Sequence, residues 1–567
     1  MDCGARRLFA SLVLGALVAC SHSSPQTAAP VESPQEQSSA VSPAISARLH
    51  EIAAAGRLAS LRWPDFSDYR AHLEHAYEST NFTPIWLYRG EPSRQALALV
   101  QAWKDSRTKG LEPEEYDASR WGARIAELKA DASRAADFDA AFTVCAMRYV
   151  SDLHIGRVDP KHFKFGIDIG EKKYDLPQFV VSKLAHADDV NSVLAGIEPP
   201  YLGYRNTEKA LEHYEVLAAQ GDGSPVPGVT KAIGIGDGYA GTQALTARLL
   251  LLGDLTPGAE TNAGAGIFDE PLSSAVQRFQ VRHGLAADGR LGKETVRQLN
   301  VPLAVRVTQL ENALERWRWL PPAFPQPPVV VNVPEFVLRV FNAQEQVTMQ
   351  MNVVVGRAIA TETPIFADQM RYIVFRPYWN IPPSIVRKEI LPGLAKDSNY
   401  LPRKRMEITD RSGKLLTAGA VSSDLMQQLR RGSVMVRQRP GADNSLGLIK
   451  FIFPNSSNVY LHSTPAPQLF AQSRRDFSHG CIRLERPAEL AGYLLADQGW
   501  TEQKATDAMQ SGQDNRQVNL SHPVPVLILY VTAVAEQDGS VHFFDDIYGH
   551  DKMLEQVLAK GPPYPVQ

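Results

Sequence analysis

The sequence predicts a multidomain protein. It has an α-helical N-terminal region, a small three-helix module and a mainly-β C-terminal domain carrying a helical insertion. Three observations predict it. The chain has 567 residues, too many for one ordinary core. Apolar residues recur at helical spacing through much of residues 45–220. From Val329 the apolar period changes to two, as in half-buried strands. Composition is globular, with 44% hydrophobic and 21% charged residues. Its 59 basic and 62 acidic residues leave a net charge of −3, so no basic excess points to nucleic acid.

Residues 1–19 read as a targeting segment. Arg6 and Arg7 precede an apolar run over 8–19, shorter than the roughly 20 residues that span a bilayer. Leu17-Val18-Ala19-Cys20 resembles a bacterial lipobox, which implies lipidation of Cys20 and a periplasm-facing anchor. Ser21 rather than Asp favours outer-membrane delivery by the usual sorting rule. The alternative is an ordinary signal peptide with a chance cysteine. Residues 20–44, rich in Ser, Pro, Gln and Ala, cannot bury a core and read as a flexible tether.

The helical region covers 45–222. Residues 96–103 and 137–153 show its periodicity most clearly. Cys145 lies in the second run and reads as a buried, inert thiol. A Cys145–Cys481 disulfide is the alternative in an oxidising compartment, and it would disable a nucleophile. His72, Glu74 and His75 lack the spacing of a metal-binding helix and read as a solvated face.

A Gly/Pro/Ser break at 221–228 opens the small module, 223–303. Val276 and Phe279 share a helix face, Gly284 caps that helix, and Asp288-Gly289 makes a turn before a helix over 293–299. The pattern resembles a peptidoglycan-binding module; that likeness leaves glycan affinity and plain scaffolding equally open.

The β domain covers 304–555. An amphipathic helix over 301–320 stops at Pro321-Pro322. Strands follow at 329–333, 336–340, 349–355 and 371–375, with a late strand at 524–531 and a hairpin ending at 541–544. An insertion at about 383–447 has two helical runs, 385–394 and 422–430. It also carries recurring basic residues such as Arg387, Lys388, Arg430 and Arg431.

Candidate chemistry centres on Cys481. A cysteine nucleophile needs a base to make the thiolate. His462 follows a short strand 19 positions upstream and is the candidate base. His479 is the other histidine, and a substrate-contacting role is favoured for it over that of base. Gly480 and Cys481 offer N–H groups for an oxyanion hole, and Ser478 is assigned to substrate binding or loop support. Arg483 suits a bidentate contact to a substrate carboxylate, unless it pairs internally with Glu485 or Asp476. Tyr460 is either a cleft wall or a core aromatic.

The whole run from His462-Ser463-Thr464-Pro465 to Ser478-His479-Gly480-Cys481-Ile482-Arg483-Leu484 resembles the signature of the L,D-transpeptidases, which cross-link bacterial peptidoglycan. Gly356-Arg357, Thr363-Pro364, Pro377-Tyr378-Trp379-Asn380, the stretch 439–447 and Lys450-Phe451 extend the likeness. Arg148-Tyr149 and residues 155–160 resemble the helical scaffold of the large members. The resemblance implies that the Ser463 backbone carbonyl orients His462; many large relatives carry Asp at that position. Trp379 and Asn380 would line the cleft or serve only structure, and the insertion would cap the site as a lid.

The implied reaction is a 3→3 cross-link through a cysteinyl thioester on a tetrapeptide donor, with release of D-Ala and no cofactor or metal. Its partners would be peptidoglycan stem peptides and glycan, and a carbapenem β-lactam would acylate Cys481. Hydrolysis as an L,D-carboxypeptidase or endopeptidase, lipoprotein-to-wall transfer and a silent wall anchor are the alternatives.

Overall fold

The computed structural model describes residues 42–259, 261, 263–359 and 361–564. The leader, Cys20 and residues 20–41 of the tether lie outside the described residues. From Pro43 onward the chain forms one compact unit.

The helical region is built around helix Ala135–Ile155, which is buried along nearly its whole length. Its apolar residues recur all round, as expected of a central helix. Trp86, Trp103 and Trp121 pack on its Phe142 as tilted or edge-on ring pairs. Buried Asp139 is satisfied by the Ile85 and Trp86 N–H groups and the Tyr77 hydroxyl. Ser93 caps helix Arg94–Lys104 by accepting from the Ala96 N–H. Glu315, on helix Leu303–Trp317, accepts from the Arg157 N–H at 2.6 Å and ties the helical region to the helix that leads into the β domain.

The small module contains helices Thr242–Leu251, Glu270–Arg282 and Lys293–Leu299. Gly284 takes φ +61 just past the second helix, the left-handed geometry of a helix cap. Buried Gln280 holds the 288–290 turn: it donates to Asp288 and Arg290 and accepts from the Gly289 N–H.

The β domain's main sheet, among the described residues, has nine strands. They are β1 Val329–Asn332, β2 Val337–Phe341, β3 Val347–Gly356, β4 Phe366–Phe375, β5 Ile449–Ile452, β6 Leu461–His462, β7 Asp476–Ser478, β8 Ile482–Leu484 and β9 Arg516–Leu529. Their order is β7-β3-β8-β6-β5-β4-β9-β1-β2, and β2 also pairs with β3, so the sheet closes on itself and hides its edges. Val331, Leu338, Val353, Ile373, Phe451, Leu461 and Ile482 fill the interior. Each such side chain contributes about 1.5–3 kcal/mol by leaving water.

The insertion has its own apolar core, with Val386, Ile390, Leu401, Ile408 and Val436. Its helices include the unbroken run through Val386–Ile390 and Leu391–Lys396, and Ser423–Arg431 capped by Ser422. It also carries a four-stranded sheet that the helical reading did not contain, in the order Trp379–Asn380, Met435–Gln438, Met406–Thr409, Leu415–Thr417. These strands are two to four residues long, too short to show a period.

Candidate active site

The site is laid out by strand register. β6 runs antiparallel to β5 and parallel to β8. Leu461 pairs with Phe451 on one side and Ile482 on the other, and all three are fully buried. Side chains alternate across a sheet, so the opposite face carries Tyr460, His462, Lys450, Arg483 and Cys481. His462 is in register with Lys450 and with Arg483.

His462 is buried, and its Nδ1 lies 2.5 Å from the Ser463 carbonyl oxygen. With the proton on Nδ1 and donated there, Nε2 would keep the lone pair a base requires. Burial, then the cations Arg483 and Lys450, push its pKa down to about 4, against the pull of the Ser463 and Leu446 carbonyls. The Ser463 N–H donates to Ile449 O at 3.0 Å, which fixes the carbonyl. Gly447 closes over this bend; a Cβ there would lie 2.6 Å from Ser463 Cβ.

Cys481 is a free, half-buried thiol. Burial pushes its pKa up, while Tyr460, Arg483 and Lys450 pull it down. The resting pair at neutral pH is therefore thiol and neutral imidazole. The Ser478 hydroxyl donates to Cys481 O at 2.6 Å and accepts from the Gly480 N–H at 3.1 Å. Gly480 has φ +113, a region that favours glycine, and its carbonyl accepts from Thr363 Oγ1 at 2.8 Å. Thr363 also accepts from the Gly356 N–H, and the Tyr548 hydroxyl braces Gly356 O at 2.6 Å.

The Gly480 N–H is already taken by Ser478, so it is not a free oxyanion donor. Among the described residues the Cys481 N–H has no partner and is the donor left over. Ser478 is buried, and both its hydrogen bonds lie within the nucleophile loop.

His479 turns away from its neighbour cysteine. β7 ends at Ser478 and Gly480 bends the chain, so strand alternation does not carry His479 onto the face of Cys481. Its Nε2 instead meets Glu389 of the insertion at 3.0 Å. Arg483 has neither candidate internal partner: Asp476 is held by Arg474 at 2.7 Å, and Glu485 accepts from the Asn352 N–H at 3.0 Å. Arg483 Nε is buried without a hydrogen-bond partner. The Tyr460 ring lies 5.8 Å from that of His462, and its hydroxyl meets both Cys481 and Trp379. Trp379 packs on the insertion core, while Asn380 is exposed on the strand paired with Met435–Gln438. Cys145 is fully buried, and burial pushes its thiol up to about 12.

Three groups escaped the sequence reading as site residues: Lys450, Glu389 and the Thr363–Tyr548 brace. Lys450 is the polar residue in an otherwise apolar strand, a signal visible in sequence. Its facing His462 depends on register and is not.

Residues 327–526 match the family model of the YkuD L,D-transpeptidase catalytic domain. Residues 71–211 match a scaffold domain, and residues 239–299 a domain described as "Putative peptidoglycan binding domain". A Haemophilus influenzae protein named "Putative L,D-transpeptidase" is 28% identical over 291 residues, covering 50% of this chain and 57% of that protein. The chain thus spans little more than half the length of this curated relative. A crystal structure of an L,D-transpeptidase (Yku) from Stackebrandtia nassauensis aligns over 54% of this chain and 96% of that one, at 13% identity and a TM-score of 0.22, too weak a likeness to argue from. On these matches the chain is a multidomain protein with a helical scaffold domain, a peptidoglycan-binding-type module and a YkuD-type L,D-transpeptidase catalytic domain.

Proposed function

We propose that the chain is an L,D-transpeptidase that forms 3→3 cross-links in peptidoglycan. One observation carries this reading: a half-buried cysteine and a buried histidine, its Nδ1 against the Ser463 carbonyl, share one face of the main sheet. Cys481 Sγ attacks the carbonyl of the L-centre of diaminopimelate in a tetrapeptide stem, and His462 Nε2 takes the thiol proton. The C–N bond to D-Ala breaks, the proton leaves with the amine, and a thioester remains. The side-chain amine of a second stem then attacks the thioester, His462 takes its proton, and the thiol is restored. The Cys481 N–H stabilises the oxyanion in both halves. No step calls for a metal or organic cofactor.

Both partners start neutral, so proton transfer accompanies attack rather than preceding it. Trp379, Asn380 and Tyr460 bound the donor stem, and His479 with Glu389 positions the insertion over it. The peptide and glycan of the wall are the partners, and a carbapenem acylates Cys481. The sequence of residues 1–20 supports export and a lipid anchor at Cys20, with the catalytic part in the periplasm at the outer membrane. Among the described residues no helix is long and apolar enough to cross a membrane.

The test uses protein lacking residues 1–44 and purified disaccharide-tetrapeptide, read by mass spectrometry with Cys481→Ala as control. A dimer short of one D-Ala, absent with the variant, is expected. Tripeptide alone would move the assignment to a carboxypeptidase. No turnover and no carbapenem adduct would sink the nucleophile.

A further inference from the structure

His462 sits between two cations. Lys450 is its register partner on β5 and Arg483 its register partner on β8. Adjacent strands lie about 4.8 Å apart, so the two cationic residues start roughly 10 Å apart and flank the catalytic face. Their long side chains span that gap with ease. Lys450 Nζ hangs over the Tyr460 ring, 5.9 Å from its centroid. Among the described residues neither cation has a carboxylate within ion-pair distance, and Arg483 Nε is buried without a partner.

Such an arrangement is unusual. Charges taken from water are ordinarily paired, and two like charges on one face repel. The other groups of the face do not compensate, because the thiol and the imidazole are both neutral at rest. The positive face is therefore complete only with an anion on it. Arg483 alone would serve as a carboxylate fork; the second cation, across the catalytic histidine, fixes where that carboxylate lies relative to Cys481.

We propose that Lys450 and Arg483 together form an anion-binding subsite beside Cys481, and that it receives a carboxylate of the acyl donor next to the scissile bond. Lys450 is then a specificity-determining residue of the site. That the carboxylate belongs to a stem peptide rests on the function proposed above; the existence of the subsite does not.

The test measures alkylation of Cys481 by two reagents of nearly equal size, iodoacetate and iodoacetamide. In each, the sulfur–carbon bond forms, iodide leaves and the thiol proton goes to solvent or His462. Only iodoacetate carries a carboxylate. The ratio of the two rates reads the subsite independently of thiol reactivity, which enters both rates alike. Lys450→Met is expected to lower the iodoacetate-to-iodoacetamide ratio at least threefold, and Lys450→Arg to keep it within twofold of the native value. Lys450→Gln gives the same reading if the methionine variant fails to fold. An unchanged ratio, including equal slowing of both reagents, would overturn the proposal and leave Lys450 as a general electrostatic influence on the thiol.

A second arm identifies the carboxylate. Tetrapeptide amidated at D-Ala, or at the D-centre of diaminopimelate, is compared with the free acid. Amidation of the bound group should lower kcat/KM severalfold in the native protein and by a clearly smaller factor in Lys450→Met, which keeps Arg483. A chain with no peptide turnover would still show the alkylation ratio, so failure of the reaction and failure of the subsite are told apart.

Discussion

The helical region and the β domain each hold one cysteine among the described residues, in opposite environments. Cys145 faces a core of apolar and aromatic side chains inside a helix buried all round, and its thiol is pushed up to about 12. Cys481 sits at the end of a glycine bend, half-buried, with Tyr460, Lys450 and Arg483 around it. Both thiols are raised by burial and both have arginines that oppose the rise, Arg124 and Arg148 at Cys145 and Arg483 at Cys481, but only Cys481 shares its face with a histidine. At Cys145 the buried helix offers the thiol packing and no base. The rim of a sheet, where a strand hands over to a loop, lets neighbouring strands aim polar groups at one point.

The sharpest way to break that contrast is to truncate both cysteines. Cys481→Ala should cut turnover by about 10⁴-fold or more while leaving the unfolding midpoint nearly unchanged. Cys145→Ala should leave kcat intact and cost about 1–2 kcal/mol of stability, through the cavity it opens. Paired kinetics and urea melts decide it. Loss of activity in Cys145→Ala with an intact fold would remove the distinction.

Ser478 comes next in expected effect. Its hydroxyl makes two hydrogen bonds within the nucleophile loop. Removing it strands a buried N–H and a carbonyl, worth about 1–3 kcal/mol. Ser478→Ala should therefore lower kcat by about 10- to 100-fold, with KM within about twofold, because only the geometry of the reacting group is loosened. A raised KM with unchanged kcat would return Ser478 to the substrate-binding set.

The pH response follows from the same burial. His462 titrates near 4 in the folded protein and near 6.5 when unfolded, so between those values the unfolded chain takes up a proton the native chain refuses. The stability this histidine contributes is full above about pH 6.5 and is lost as pH falls toward 4. His462→Asn should lose about 2 kcal/mol less than the native protein between pH 7 and 4.5. Half-buried His550, also near 4, remains in both proteins and cancels in the comparison. Alkylation of Cys481 should climb through alkaline pH, because its thiol is raised. A rate that stays flat down to pH 5 would show a preformed thiolate–imidazolium pair and refute the neutral resting state.

What the sequence revealed and what it withheld divide along chain distance. The strand at 329–332 and the helix at 293–299 depend on local pattern and are readable there, whereas the contact of His462 with its neighbour's carbonyl is implied only by the family resemblance. Whether Arg483 pairs with Glu485 or Asp476 was left open, because both candidates are near in sequence. Contacts with Asn352 and Arg474 decide it. Lys450 beside His462 is a matter of register between strands. The small sheet of the insertion joins Trp379–Asn380 to Met435–Gln438 across more than fifty residues, beyond the reach of any periodicity.

The smallest expected effect concerns the seam between nucleophile loop and insertion. His479 and Glu389 meet at 3.0 Å, yet both side chains are about half exposed. Such a contact is an ion pair only with His479 protonated, and then it is weak and screened by salt. The buried pairs of Glu315 with Arg157 and Arg318, at the edge of the helical region, are the opposite case. Glu389→Gln keeps a hydrogen-bond acceptor of the same size, so its thermal midpoint should match the native protein's. If the contact positions the insertion over bound substrate, KM should rise by no more than about threefold, and His479→Ala should add nothing further in the double variant. Independent, additive effects of the two substitutions would mean that the side chains act separately. The seam would then be a chance meeting of two exposed groups, with the insertion held by its own core alone.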